Sequence, residues 1–285
     1  MFPRNAGFSN GCQLLLAAVC LLLTGCGETS ADKGKDGTTV TPVTVLAAAS
    51  LTDVLEQAAA RFREQTGIEV RISTGPSSGL ARQVVSGAPV DLFLSASLHW
   101  AETVQEAGLV RQSVPLLRNR LILAVPQNNP AGITGLADLS SPRVQRVALA
   151  GENVPAGRYA EQALAAEGVL TELQSSGRLV RGHDVRHTLS YISRGEVDAG
   201  LVYATDLHRV ENVTAVAVIP RERHQPIVYP MILIKDGPAG DHGQQFFDFL
   251  QTAQVMKIFR EAGFEPAMAD DSQTDGAADS RTTEQ

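Results

Sequence analysis

Ser50, in Ala47-Ala48-Ala49-Ser50-Leu51-Thr52, and Ser77, in Gly75-Pro76-Ser77-Ser78-Gly79-Leu80, each stand where an apolar strand pattern ends and a helical pattern begins. A helix start carries backbone N–H groups with no intrahelical partner, and the macrodipole adds partial positive charge there. Small residues let a ligand approach that backbone, so such junctions can hold an anion without a cation. Pro155-Ala156-Gly157 and Asp184-Val185-Arg186 repeat the device further along the chain. Four helix starts converging on one point would supply several charge-assisted hydrogen bonds, each worth about 1.5–3 kcal/mol. Donors without acceptors suit a fully ionised tetrahedral oxyanion. Hydrogen phosphate would need a carboxylate to accept its proton.

The same residues carry other chemistry. Ser50 with Asp53 three positions on fits a capping box that needs no ligand. Gly75-Pro76-Ser77-Ser78-Gly79 matches G-x-S-x-G, which would make Ser77 the nucleophile of a serine hydrolase. Its base would come from His183, His187, His208, His224 or His242, yet none lies in a recognisable loop after a late core strand, and no His-Gly-Gly segment precedes the serine. His183 and His187 have the spacing of helical metal ligands but lack the acidic residue of the zinc pattern, so surface or capping roles suit them better. Phe246, Phe247 and Phe249 read as helix packing.

These residues must be positioned by the body of the chain, whose two ends read differently. Arg4 is the only charged residue before the apolar run Leu14 to Leu23, which has the length of a signal h-region and is too short to span a membrane. The run closes in Leu23-Thr24-Gly25-Cys26, similar to a bacterial lipobox, so residues 1–25 are expected to be a signal peptide and Cys26 a lipidated N-terminus. Residues 26–40 read as a flexible tether, and 267–285, with Asp270, Asp271, Asp275, Asp279 and Glu284, as a disordered acidic tail. Cys12 and Cys20 leave with the signal peptide, which excludes a disulfide framework or cysteine metal cluster. The formal charge of −7 argues against nucleic acid and against a wide basic field that gathers anions.

Between the ends, strand and helix periods alternate. Val43 to Leu46, Ile68 to Ile72 and Val90 to Leu94 read as strands, each followed by a helix. Leu121 to Val125 opens a second series, with strands at Val147 to Ala150, Leu179-Val180, Ala199 to Tyr203 and Val213 to Ile219. Ile227 to Ile234 is placed to return the chain to the first series. The expectation is an α/β fold of two lobes, 41–121 with 230–266 and 122–229, built on doubly wound mixed sheets, with two crossover strands and an interlobe cleft.

Over residues 43–266 the sequence resembles the ModA family, the periplasmic molybdate-binding proteins of ABC importers. The resemblance rests on Ala47 to Thr52, Ser77-Ser78 with Leu80-Ala81-Arg82-Gln83, Gly87 to Phe93, Val154-Pro155-Ala156-Gly157 with Tyr159-Ala160, Asp184-Val185-Arg186, Val202-Tyr203 and Tyr229-Pro230. It implies a type II periplasmic binding protein fold and no enzymatic activity. It also implies a molybdate or tungstate site in which Ser50 and Ser77 give hydroxyl and backbone hydrogens, Ala156 and Val185 give backbone N–H, and Tyr203 gives its hydroxyl. Metal would enter only as its oxyanion, with no direct cation ligand and no cofactor. The shorter serine loop leaves the second side-chain bond to Ser77 or Ser78, and Arg158 is not a residue the family pattern demands. Sulfate or phosphate is the alternative ligand. The expected partners are an ABC permease and its separate ATPase, and the expected state is a periplasm-facing, membrane-anchored monomer.

Overall fold

A computed structural model of the chain describes residues 40–267. The signal peptide, Cys26, nearly all of the tether and the acidic tail from 268 onward lie outside the described residues. The first series runs β1 (Val43–Ala48), α1 (Thr52–Thr66), β2 (Val70–Gly75), α2 (Ser77–Val85), β3 (Leu92–Leu94), α3 (Leu98–Glu106) and β4 (Val110–Arg118). The second runs β5 (Leu121–Pro126), β6 (Val147–Ala150), α4 (Pro155–Glu167), α5 (Leu170–Ser175), β7 (Leu179–Gly182), α6 (Val185–Ser193), β8 (Ala199–Tyr203) and β9 (Val213–Val218). The chain ends in β10 (Val228–Ile234), α7 (Asp241–Phe249), α8 (Ala253–Glu261) and β11 (Glu265–Pro266).

Two mixed sheets result, ordered β11-β4-β10-β3-β1-β2 and β7-β6-β8-β5-β9. Each contains the same local design. In the first, β1 lies between β2 and β3 and runs parallel to both, with β10 antiparallel beyond β3. In the second, β6 lies between β7 and β8, parallel to both, with β5 antiparallel beyond β8. A strand order that reverses at its central strand opens a crevice at the strands' carboxyl ends. Ser50 follows β1, Ser77 follows β2, Ala156 follows β6 and Val185 follows β7, while Tyr203 ends β8.

Local sequence explains these elements. β1 and β6 are almost wholly buried, as central parallel strands with both faces covered must be, and their sequences are correspondingly continuous apolar runs. On α1, Val54, Leu55, Ala58 and Phe62 share a face, and Gly67, left-handed at φ 74°, ends the helix. Phe62 packs edge-on against Phe246 and tilted against Phe249, at 5.0 and 5.2 Å between centroids, and Phe247 is buried beside them, so the α7 phenylalanines are core. Pro230 sits at a register shift between β10 and β4, where its missing N–H breaks no regular ladder.

Some boundaries differ from the sequence reading. The second strand starts at Val70, and the third narrows to Leu92–Leu94, the residues that β1 and β10 both pair. β4 has no clear apolar period because Arg111, Gln112 and Ser113 are exposed on it, and pairing along β10 makes it a strand. The chain passes between the sheets at Asn119-Arg120 and again between β9 and β10. There the two segments touch, with Asn119 N–H donating to Ile227 C=O at 3.2 Å, while Ala204 N–H, just beyond β8, donates to Arg120 C=O at 2.9 Å.

Gly157 shows how closely α4 must sit on its sheet. A methyl there would collide with the carbonyl oxygens of Ala150 and Gly151 at the end of β6. Gly157→Ala should therefore push the first turn of α4 outward and cost about 1–3 kcal/mol of stability. Thermal unfolding followed by circular dichroism measures this, and an unchanged melting temperature would contradict the close approach.

Candidate functional site

The four junctions and Tyr203 meet. One small cavity is lined by Ser50, Ser77, Ala156, Val185 and Tyr203, together with Ala48, Ala49, Gly75, Pro76, Ala96, Val154, Pro155 and Asp184. The first five are each 4% exposed or less. The volume is about 10 Å³, near the roughly 10–15 Å³ that one water needs on the same measure. A space of this size excludes an organic solute. No Lys, Arg or His lines it.

Three walls are helix starts. Ser77 is the first residue of α2, Ala156 the second of α4 after Pro155, and Val185 the first of α6, so their N–H groups precede any intrahelical acceptor. Pro155 at the first position has no N–H to leave unpaired, which makes Ala156 the leading donor of α4. Ser50 lies in a 3-10 turn between β1 and α1 and does not cap α1, whose N-cap position falls on Leu51. The capping-box reading of Ser50 with Asp53 therefore gives way, and the Asp53 carboxylate instead accepts from Arg186 Nη2 at 2.7 Å.

The serine hydroxyls are oriented by the protein. Asn119 Nδ2 donates to Tyr229 Oη at 3.2 Å and to Thr205 Oγ1 at 2.8 Å, and Tyr229 Oη lies 3.0 Å from Ser50 Oγ. With its oxygen already accepting from Asn119, the buried Tyr229 is satisfied when its proton goes to Ser50 Oγ. The Ser50 proton is then left for the cavity. Ser77 Oγ accepts from Ala96 N–H at 3.0 Å, which likewise leaves its proton for the cavity. Ser78 is buried but does not line the space, so the geometry favours Ser77 over its neighbour. Arg158 is half-buried and also outside the lining.

Tyr203 completes the shell differently. Its hydroxyl is buried and has no hydrogen-bond partner, which is rare for a buried polar atom. Burial drives its pKa well above the ordinary tyrosine value, reinforced by the neighbouring Tyr229 and Tyr159, so the group stays a donor. Asp206 Oδ2 accepts from Tyr203 N–H at 2.9 Å and fixes the end of β8. Burial raises the Asp206 pKa to about 7 against the opposing pull of Arg186.

One acidic residue, Asp184, does line the cavity. Its carboxylate is committed as the cap of α6, where Oδ1 accepts from His187 N–H at 2.8 Å. Its other oxygen, Oδ2, lies 3.6 Å from His183 Nδ1. Against the hydrolase reading, Ser77 Oγ is engaged by a backbone N–H and no histidine reaches the cavity. His183 is largely exposed and precedes α6.

Tyr229 and Asn119 had no assigned role from sequence. The available signal was a lone hydroxyl in the apolar strand Val228–Ile234, since a buried tyrosine needs a partner for its OH. Asn119 offered none, because its meaning depends on three residues distant in the chain.

Residues 43–265 match the bacterial extracellular solute-binding protein family. The chain is 34% identical to the molybdate-binding protein ModA of Haemophilus influenzae over 259 residues, covering 88% of this chain and 98% of that one. It is 31% identical over 256 residues to YvgL of Bacillus subtilis, a protein assigned to the ABC transporter substrate-binding lipoproteins, covering 88% and 97%. Among solved structures, the Azotobacter vinelandii periplasmic molybdate-binding protein shares the fold with a TM-score of 0.70 at 24% identity, covering 78% of this chain and 98% of that one. With this two-sheet architecture and a donor-lined cavity in place of a nucleophile and base, the chain belongs to the bacterial extracellular solute-binding proteins, in their ModA branch, and is a binding protein rather than an enzyme.

Proposed function

We propose that this protein captures molybdate, and tungstate equally, in the cavity between its two lobes and delivers it to an ABC permease driven by a separate ATPase. The observation that carries the reading is the buried, partnerless hydroxyl of Tyr203, aimed at the same small space as two oriented serine hydroxyls and the N-termini of three helices. Ser50 and Ser77 bind from the lobe of β1 and β2. Ala156, Val185 and Tyr203 bind from the lobe of β6, β7 and β8.

The absence of a cation from the lining matters for selectivity. Neutral donors reward an anion that only accepts. The molybdate specificity carried in the names of the ModA relatives supports the choice among fully ionised tetrahedral anions. Binding is non-covalent throughout. The lobes are taken as 41–121 with 230–266 and 122–229, closing about the Asn119-Arg120 and β9–β10 crossovers, and the protein acts as a monomer.

Titration calorimetry with molybdate, tungstate, sulfate and phosphate tests the ligand. Sub-micromolar molybdate and tungstate binding with no comparable sulfate or phosphate binding is expected, and no heat with any of the four would overturn the reading. Ser77→Ala and Tyr203→Phe should each weaken molybdate binding by about 1.5–3 kcal/mol, with the melting temperature little changed in Tyr203→Phe and lowered in Ser77→Ala, which strands the buried Ala96 N–H. Tyr229→Phe should cost less, about 1 kcal/mol, because Ser50 remains but loses its orientation. Normal binding by both Ser77→Ala and Tyr203→Phe would move the site elsewhere.

The Leu23-Thr24-Gly25-Cys26 sequence supports lipidation of Cys26, which would hold the protein to a membrane facing the periplasm. Mass spectrometry of the mature N-terminal peptide should find a diacylglyceryl group on Cys26, and Cys26→Ala should shift the protein to the soluble fraction. An unmodified Cys26 peptide in the wild type would refute anchoring by this route.

A further inference from the structure

Each of three charged residues stands one to three positions beyond a cavity donor. Asp53 is three residues after Ser50, Arg186 one after Val185, and Asp206 three after Tyr203. Arg186 Nη2 is 2.7 Å from Asp53 Oδ2, and Arg186 Nε is 3.6 Å from Asp206 Oδ1. The other Asp206 oxygen accepts from the Tyr203 backbone. The side chains of Arg186 and Asp53 are 32% and 25% exposed, and that of Asp206 is fully buried.

We propose that Arg186 is the latch of the cleft, a positioning residue whose guanidinium ties Asp53, at the start of α1, to Asp206, beyond the end of β8, whenever the cleft is closed, with or without a ligand. The proposal rests on the reading of the cavity as an oxyanion site and concerns how long the oxyanion stays. Asp206 and Arg186 belong to the sheet of β6, β7 and β8, so their pairing survives an opening of the cleft. Asp53 belongs to the sheet of β1 and β2, so its bond to Arg186 forms only when the two halves meet. Because each partner is anchored beside a donor, the ion pair and the donor shell assemble in one movement. The two contacts use two different nitrogens of the planar guanidinium, which the single ammonium of a lysine cannot reproduce. Other bonds between the lobes include Trp100 Nε1 to Asn153 C=O at 3.2 Å, Tyr159 Oη to Ala96 C=O at 3.3 Å and, beside the β9–β10 crossover, the more exposed ion pair of Arg221 with Glu265 at 2.9 Å. A charged contact that exists only in the closed state acts chiefly on the rate of release.

Trp100 is the only tryptophan of the chain and its indole crosses the cleft, so its fluorescence reports closure. In stopped-flow displacement of molybdate, Asp53→Asn should release the ligand about tenfold faster, with association little changed and the preference over sulfate intact. Arg186→Lys should fall between wild type and Arg186→Gln. The double variant Asp53→Asn with Arg186→Gln should release no faster than Arg186→Gln alone, because both changes break one linkage. Release at the wild-type rate by Asp53→Asn and Arg186→Gln, both folded by circular dichroism, would overturn the latch. If the wild type binds no oxyanion, the functional reading has failed, and small-angle scattering still decides the latch without ligand. Asp53→Asn should then raise the radius of gyration relative to wild type, and identical values would overturn the proposal.

Discussion

Burying an anion away from water without a counter-cation is the constraint on which this architecture turns. The deficit must be met by many partial charges, and backbone N–H groups are available in numbers only where helices begin. Helix starts converge only if the strands before them end together. The parallel trios β2-β1-β3 and β7-β6-β8 achieve this by placing each central strand between its successors, so that the connections leave from one edge of each sheet. Sheet order, glycine at the close approach of α4 to β6 and proline at the first position of α4 all follow from that single requirement.

Hydroxyl groups extend the shell but add a difficulty that backbone amides do not have. A serine can donate or accept, and an anion rewards only one of these. Here the ambiguity is removed from behind. Tyr229, itself held by Asn119, gives its proton to one hydroxyl and the Ala96 amide donates to the other, which leaves both serine protons for a ligand. Preorganisation of this kind reduces what must be ordered on binding. It also explains the burial of polar groups around Asn119, which stands in the first crossover between the sheets and bonds to Tyr229 behind Ser50.

Much of this was legible in the sequence because it is local. The α/β alternation, the strand-to-helix junctions and the donors Ser50, Ser77, Ala156 and Val185 are features of short segments, and periodicity with small residues at the break reveals them. What was hidden is long-range. β4 is a strand because β10 lies beside it, and its exposed Arg111 to Ser113 conceal any apolar rhythm. The supporting pair Asn119 and Tyr229 is separated by 110 residues, and the bond from Arg186 to Asp53 by 133. Asp53 illustrates the limit well, since spacing alone made it a local cap for Ser50, whereas the fold gives it a distant cation.

The uncharged lining has a further consequence for the medium in which the receptor works. Binding surfaces built from lysine and arginine are weakened by dissolved salt, because mobile ions screen exposed charge within about 10 Å at 0.1 M ionic strength. The donors in this cavity are buried dipoles, fixed at contact distance and sealed from the surrounding electrolyte. Chloride or potassium outside therefore has little to screen and no paired ion to displace. The anion capture proposed for this cavity would therefore be little weakened by added salt.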